Sequence, residues 1–260
     1  MEYVSRPAHH EQWNCIFSMY EPRTYRHWVK DQDLVSFNIA IKETDLYIRA
    51  STNLKRKAYK SILKYRNILE KYIERHPSFL TSLEPVPVDD DAPHIVKLMS
   101  EATARVGVGP MAAVAGTIAE FVGNELLAFS PEIIVENGGD IYLKTLKKRL
   151  VGIYAGNSPF TGKIGLEIYG EDTPLGICTS SGTVGHSLSQ GKADAVIVLS
   201  ESTPLADAAA TAIGNLIVQP SDIPSGIEFA KGIEGLKGVI IIDGDKMGMR
   251  GEVKICQMSE

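Results

Sequence analysis

Apolar and polar residues alternate along "LVSFNIAI" (Leu34–Ile41) and again along "DLYIRAS" (Asp45–Ser51), with "KETD" at the junction. A period of two puts every second side chain on one face, which predicts two half-buried strands joined as a hairpin. The period then changes. Over "NLKRKAYKSILKYRNILEKYIERH" (Asn53–His76), Ala58, Ile62, Leu63, Tyr65, Ile68, Leu69 and Ile73 recur close to helical spacing. That spacing predicts one long amphipathic helix whose lysines and arginines form its solvated face. "LEPVPVDDDAP" (Leu83–Pro93) holds three prolines and an acid triplet, so it reads as a loop. It is the boundary the sequence offers, between a hairpin-and-helix portion at 1–92 and a core at 93–260 packed against it.

Beyond the loop a helix runs from Pro93 to about Arg105, and "VGVGPMAAVAGTIAEFVGNELLAF" follows as a small-residue helix after a glycine turn. Pro110 sits in its first turn, where a missing N–H does no harm. Short strand candidates come next: "EIIVE" (Glu132–Glu136), "IYLK" (Ile141–Lys144), "RLVGIYA" (Arg149–Ala155) and "KIGLEIY" (Lys163–Tyr169). "ADAVIVLS" (Ala193–Ser200) reads as a buried strand, and "TPLADAAATAIGN" from Thr203 as an alanine-rich helix capped by Ser202 or Thr203. "GVIIIDGDKMGMRGEVKIC" closes the chain as strand, turn and strand. Strands and helices mix without regular alternation, so the expected class is α+β with antiparallel sheet.

Composition narrows the function. At 260 residues, 44% hydrophobic and 23% charged, the chain is of ordinary globular type. A net charge of −5 gives no global attraction to nucleic acid or anionic lipid. No run reaches the length of a membrane span, and "MEYVSRPAHHEQWN" has no apolar leader segment. Cys15, Cys178 and Cys256 are odd in number and lack CxxC spacing, which suits a reducing compartment. The expectation is a soluble cytoplasmic protein without nucleic-acid or membrane partners.

Three segments carry candidate chemistry. Asp207 and Thr211 lie four apart, hence one turn above each other on one helix face, and offer two hard oxygen ligands suited to Mg²⁺ or Ca²⁺. The same spacing also fits an acid favouring the helix dipole and a threonine bonded to a carbonyl. In "VENGGDIYL", the turn Asn137-Gly138-Gly139-Asp140 permits positive φ and offers backbone N–H groups to a ligand, though it is equally a plain β-turn. In "GICTSSGTVGHSLSQG", the hydroxyls of Thr179, Ser180, Ser181 and Thr183 surround Gly182, and His186 follows; such a loop could cradle phosphate or simply be polar. No Walker, Rossmann or GxSxG pattern is present, and His9, His10, His27, His76 and His94 show no metal-ligand spacing.

Taken in order, "MAAVAGTIAE", "NGGDI", "CTSSGT…H" and "ADAAATAIGN" resemble the ApbE-type FAD:protein FMN transferase family over roughly residues 107–216. The resemblance implies a T-fold-like α+β architecture of antiparallel sheets with packed helices. It implies Mg²⁺ held by Asp207 and Thr211, and a flavin nucleotide (FAD or FMN) contacted by Asn137, Gly138, Gly139 and Asp140 and by the loop Thr179, Ser180, Ser181, Gly182 and Thr183. It also implies His186 near the reacting phosphate, an acceptor protein as partner, and room for a homo-oligomer. The chain departs from the family pattern at Ala115, which replaces a lysine, and at Glu120, which replaces an aspartate. "HSLSQG" also lacks the family's Asp-Pro pair. The leading expectation is Mg²⁺-dependent phosphoryl or nucleotidyl transfer from FAD or a related cofactor. The alternatives are a non-catalytic flavin or metabolite binder with a degenerate cleft, and an assembly subunit whose cleft is vestigial.

Overall fold

The computed structural model describes residue 26, residues 33–183 and residues 191–258. In chain order the elements are β1 (Val35–Ile41), β2 (Thr44–Ala50), α1 (Lys55–Arg75), the short α2 (Ser78–Thr81), α3 (His94–Ala104) and α4 (Val114–Leu126). Then come β3 (Ile133–Asn137), β4 (Asp140–Lys144), β5 (Arg149–Gly152), β6 (Ile164–Ile168), β7 (Leu175–Ser180) and β8 (Ala195–Ser200). The chain finishes with α5 (Thr203–Leu216), α6 (Ile223–Lys231), β9 (Leu236–Asp243), β10 (Lys246–Gly251) and β11 (Ile255–Gln257).

Eight strands form one sheet in the order β1-β2-β3-β4-β7-β8-β9-β10, and three form a second in the order β11-β6-β5. All the pairings are antiparallel. The inner strands of the large sheet, from β3 to β9, are buried on both faces. One face takes Ile48, Val135, Tyr142, Cys178, Val198 and Ile241 into a core shared with the helices. The other takes Leu143, Ile177, Ile197 and Ile240 into a core shared with Leu166 and Ile168 of the small sheet. The result is three layers, helices on sheet on sheet, with a two-residue period deciding which layer each strand residue meets.

Local sequence accounts for the elements that frame the site. α1 buries Ala58, Ile62, Leu69 and Tyr72 at helical spacing and turns its basic residues outward. The first hairpin is tighter than "KETD" suggested, because Thr44 and Asp45 already belong to β2 and only Lys42 and Glu43 form the loop. The small-residue segment does not enter its helix directly. Pro110–Ala113 form a 3-10 turn first, and α4 starts at Val114. Ser202, rather than Thr203, caps α5, its hydroxyl accepting from Leu205 N at 3.4 Å.

The alanines of α5 follow from its position. Eleven of its fourteen residues are buried, because it lies on β7 and β8 with α3, α4 and α6 around it. A helix enclosed on so many sides has no room for large side chains. β7 yields to it as well: a Cβ at Gly176 would stand 2.6 Å from Thr203 Cα.

Candidate functional site

α4 and α5 pack antiparallel through their N-terminal halves. Gly116 stands against Asp207, and Glu120 stands against Thr203. Gly116 permits the approach, since a Cβ there would lie 2.8 Å from Thr203 O and 2.9 Å from Asp207 Cβ. Each helix caps the other. Gly116 N donates to Asp207 Oδ2 at 2.8 Å, and Thr203 N donates to Glu120 Oε2 at 2.8 Å. Both N–H groups lie in a first turn, where no intrahelical acceptor exists, and both meet a carboxylate on the positive end of the dipole. Asp207 therefore serves the start of α4, not the start of its own helix. Glu120, at the place where the resemblance has an aspartate, is long enough to reach α5.

A second acid stands beside this pair of helix ends. β3 and β4 are joined by Gly138 and Gly139, with φ of +70° and +109°, so Asn137 pairs with Asp140 across a two-residue turn. The strand period puts Asn137, Asp140 and Cys178 on the helix face, with Val135, Tyr142 and Val198. Asn137 Nδ2 donates to Ala115 O at 3.0 Å, tying the turn to the first turn of α4. Asp140 Oδ1 accepts from Thr179 N at 3.3 Å. Burial, and then the charge of Asp140, push the Asp207 carboxyl well above the usual carboxylate range, against the pull of the Gly116 and Ala115 N–H groups. Cys178 lies in the same field: burial first, then Asp140 and Asp207, push its thiol well up. Tyr142, whose hydroxyl donates to Asn124 Oδ1 at 2.6 Å, is pushed up to about 12 by burial and by Glu120.

The hydroxyl loop adjoins the turn at one end. A Cβ at Gly139 would come within 3.7 Å of Thr179 O, so β7 passes directly beside the glycines. Ser180 Oγ is buried and makes no hydrogen bond to another protein atom. Ser181 Oγ accepts from Thr183 N at 3.1 Å, and Thr183 Oγ1 donates to Asp194 Oδ1 at 3.2 Å, so these two hydroxyls serve the loop itself. Gly182 N donates to Ala193 O at 2.9 Å. Thr211 is half-buried, one turn beyond Asp207 on α5. His186 lies outside the described residues.

One expectation about the turn needs correcting. The Gly139 N–H is not offered to a ligand, because it donates to Glu136 Oε1 at 3.0 Å. Glu136 gives no signal in the sequence, where it is one acid at the end of an apolar strand, until what covers that face is known. Nor does local pattern mark the triad in which Arg149 bridges Glu132 (2.9 Å) and Asp33 (2.7 Å).

Among the described residues no three His, Cys, Asp or Glu side chains are grouped to hold a metal ion. The donors that are present are hard oxygens: two buried carboxylates, Asp140 and Asp207, and the Thr211 hydroxyl. That set fits Mg²⁺, which takes one or two carboxylates and completes its shell with water and phosphate oxygens. A raised Asp207 beside a second acid is also what a cation would relieve. The unpaired Ser180 hydroxyl fits a ligand oxygen in the same way.

Comparison with known proteins agrees with the architecture. A sequence profile described as AbpE bacteria matches residues 26–226. A UPF0280 protein of Methanocaldococcus jannaschii is 46% identical over 221 residues, covering 83% of this chain and 90% of its own. UPF0280 proteins of Methanococcus vannielii (44% identity, 85% and 92% covered) and Methanopyrus kandleri (43%, 84% and 91%) are similar over the same span. Among solved structures, the apo flavinyl transferase ApbE of Pseudomonas stutzeri superposes with a TM-score of 0.58 at 14% identity, covering 84% of this chain and 94% of that one. The ApbE protein of Thermotoga maritima gives 0.56 at 14%, covering 84% and 97%. At such identities the likeness is one of fold: antiparallel sheets with packed helices, α+β in class.

Proposed function

We propose, on the premise that this chain belongs to the AbpE bacteria family, that its cleft binds a flavin nucleotide together with Mg²⁺ and supports phosphoryl or nucleotidyl transfer from FAD or a related cofactor. The observation that carries this reading is that Asn137 ties the turn bearing buried Asp140 to Ala115 O, beside Gly116, whose N–H donates to buried Asp207. Asp140 raises the Asp207 carboxyl further, and a bound cation would offset that repulsion. Asp207 and Thr211 are the metal ligands in this reading, and Mg²⁺ when bound would neutralise charge on the pyrophosphate as AMP leaves. Asn137, Gly138 and Asp140 bound one side of the nucleotide site. Thr179, Ser180, Ser181, Gly182 and Thr183 bound the other, and the buried Ser180 hydroxyl, without a hydrogen-bond partner among the described residues, supports a ligand oxygen there. His186 is the group assigned to the reacting phosphate, and an acceptor protein bearing a hydroxyl is the partner the transfer requires.

A second reading, a binder without chemistry, is favoured by the way the acids are used. Asp207 and Glu120 both act as helix caps, and Ala115 brings no cation to the start of α4. Release of AMP from FAD, followed chromatographically with and without Mg²⁺, separates the two. The transferase reading expects Mg²⁺-dependent AMP with the wild-type chain and none with Asp207→Asn. Tight FAD binding without AMP, in the presence of acceptor extract, would favour the binder.

A further inference from the structure

The Asn137–Asp140 turn is held from both faces of the sheet. On the helix face, Asn137 ties it to Ala115 O. On the opposite face Glu136 accepts from Gly139 N with one carboxylate oxygen, and from Arg26 Nε with the other at 2.6 Å. Arg26 belongs to the portion ahead of the first strand, 110 residues away in sequence. Its side chain is only 6% exposed, and it is fixed by more than this bond. Nη1 donates to Asp45 Oδ2 at 3.1 Å, Nη2 donates to Asp45 O at 3.0 Å, and the guanidinium stands 5.7 Å from the Tyr47 ring centre. Arg49 Nη2 donates back to Arg26 O at 3.1 Å.

We propose that Arg26 and Glu136 are positioning residues for the ligand turn, so that a side chain ahead of the first strand sets the geometry of the site on the other side of the sheet. The purpose of the turn rests on the flavin-nucleotide reading; the clamp itself does not. Glu136 is well suited to the task. It is buried between its neighbours in register, Tyr47 on β2 and Ile141 on β4, where a carboxylate is costly without a partner. Arg26 Nε holds one Glu136 oxygen, and the other accepts from Gly139 N. A guanidinium suits this better than an ammonium, because its fixed fork engages Glu136 and Asp45 at once. Gly139 in turn carries a φ of +109°, and as a glycine it loses more freedom on ordering than any other residue, so a bond to its N–H helps to hold it.

The test uses the full chain and two variants. Arg26→Gln removes the charge, and Arg26→Lys keeps it but loses the fork, which guards against a variant that fails to fold. Residue-resolved amide exchange reads the clamp without any ligand. In Arg26→Lys the Gly139 amide should exchange about tenfold faster or more, while the β3–β4 ladder amides keep their protection. FAD affinity with Mg²⁺, read from flavin fluorescence, should fall by about 10–100-fold, the range typical of groups that orient a ligand-binding residue. Arg26→Gln should exceed Arg26→Lys in both readouts. Unchanged Gly139 exchange in both variants overturns the clamp. Faster exchange with wild-type FAD affinity overturns its role in the site. If the wild-type chain binds no flavin nucleotide, the flavin reading fails, and the exchange arm alone still decides whether Arg26 holds the turn.

Discussion

Gly116→Ala tests the packing that brings the acids together. The new Cβ would stand 2.8 Å from Thr203 O, 2.9 Å from Asp207 Cβ and 3.2 Å from Asp207 Oδ2. Two of these are backbone or first-side-chain atoms, which cannot swing aside, so α4 and α5 must separate. Over-packing of this kind costs about 1–3 kcal/mol. Weakening the cap from Asp207 to Gly116 N adds about 1 kcal/mol. Replacing helical glycine by alanine gives back about 1 kcal/mol through propensity. The net loss is about 2 kcal/mol, a fall of roughly 4–8 °C in thermal midpoint for a chain of this size. Gly226→Ala in α6 is the control. It is also buried and helical, but its Cβ would meet Ile241 Cδ1 at 2.7 Å and Ile217 Cδ1 at 2.8 Å, the far ends of side chains that can rotate. There propensity and over-packing should roughly cancel, leaving a change within about 1 kcal/mol. The assay is a calorimetric scan of both variants beside the wild type. If Gly116→Ala is as stable as Gly226→Ala, the close approach of α4 and α5 is not what holds Asp207 in place.

Two buried acids should answer pH with opposite signs. Burial raises the Asp207 carboxyl in the folded state above its ordinary value of 3.8, so its contribution is greatest below that value and is lost as pH rises through the raised value. Metal-free wild type should therefore lose stability relative to Asp207→Asn between pH 4 and neutrality in denaturant titrations. Burial would also raise Glu132, but hydrogen bonds from Thr145, Arg149 and Leu146 N outweigh it and hold the carboxyl below its ordinary 4.5. Its contribution is complete above 4.5 and is lost as pH falls through the lowered value, so Glu132→Gln should cost about 1–3 kcal/mol at pH 7 and less in acid. Cys178, buried with its thiol pushed up, should resist alkylation in the native protein at pH 8 until unfolding exposes it, whereas half-buried Cys256 reacts first. Glu120→Gln should cost about 0.5–1 kcal/mol in thermal or denaturant unfolding, since an amide still caps Thr203 N without the charge.

Much of the fold is written in local periodicity. β2 shows its alternation directly, and α1 shows its seam, because one face of each is apolar and the other is wet. α6 carries Pro224 and Gly226 in nine residues, so no pattern marks it as a helix before Ile223 and Gly226 are seen against β9 and β10. β5 ends at Gly152, earlier than its apolar run implies, although Ile153 still bonds Ile164 and Gly162 through its backbone and enters that core with Ala155. At the site, spacing placed Asp207 and Thr211 on one helix and the glycines in one turn. It could not show that Asp207 caps another helix, or that Arg26 holds the Glu136 carboxylate that takes the Gly139 N–H, because those contacts join residues 91 and 110 apart. Long-range acceptors leave no trace in a local pattern.

The most direct test of the two-acid site is the thermal midpoint of the wild-type chain and of Asp207→Asn, each with FAD alone, Mg²⁺ alone and both together. Asparagine keeps an oxygen for Gly116 N, so the variant should fold with its helices in place. The account predicts a rise with the pair that exceeds the sum of the single additions in the wild type, and no such excess in Asp207→Asn. An equal excess in both proteins, or none in the wild type, would contradict it.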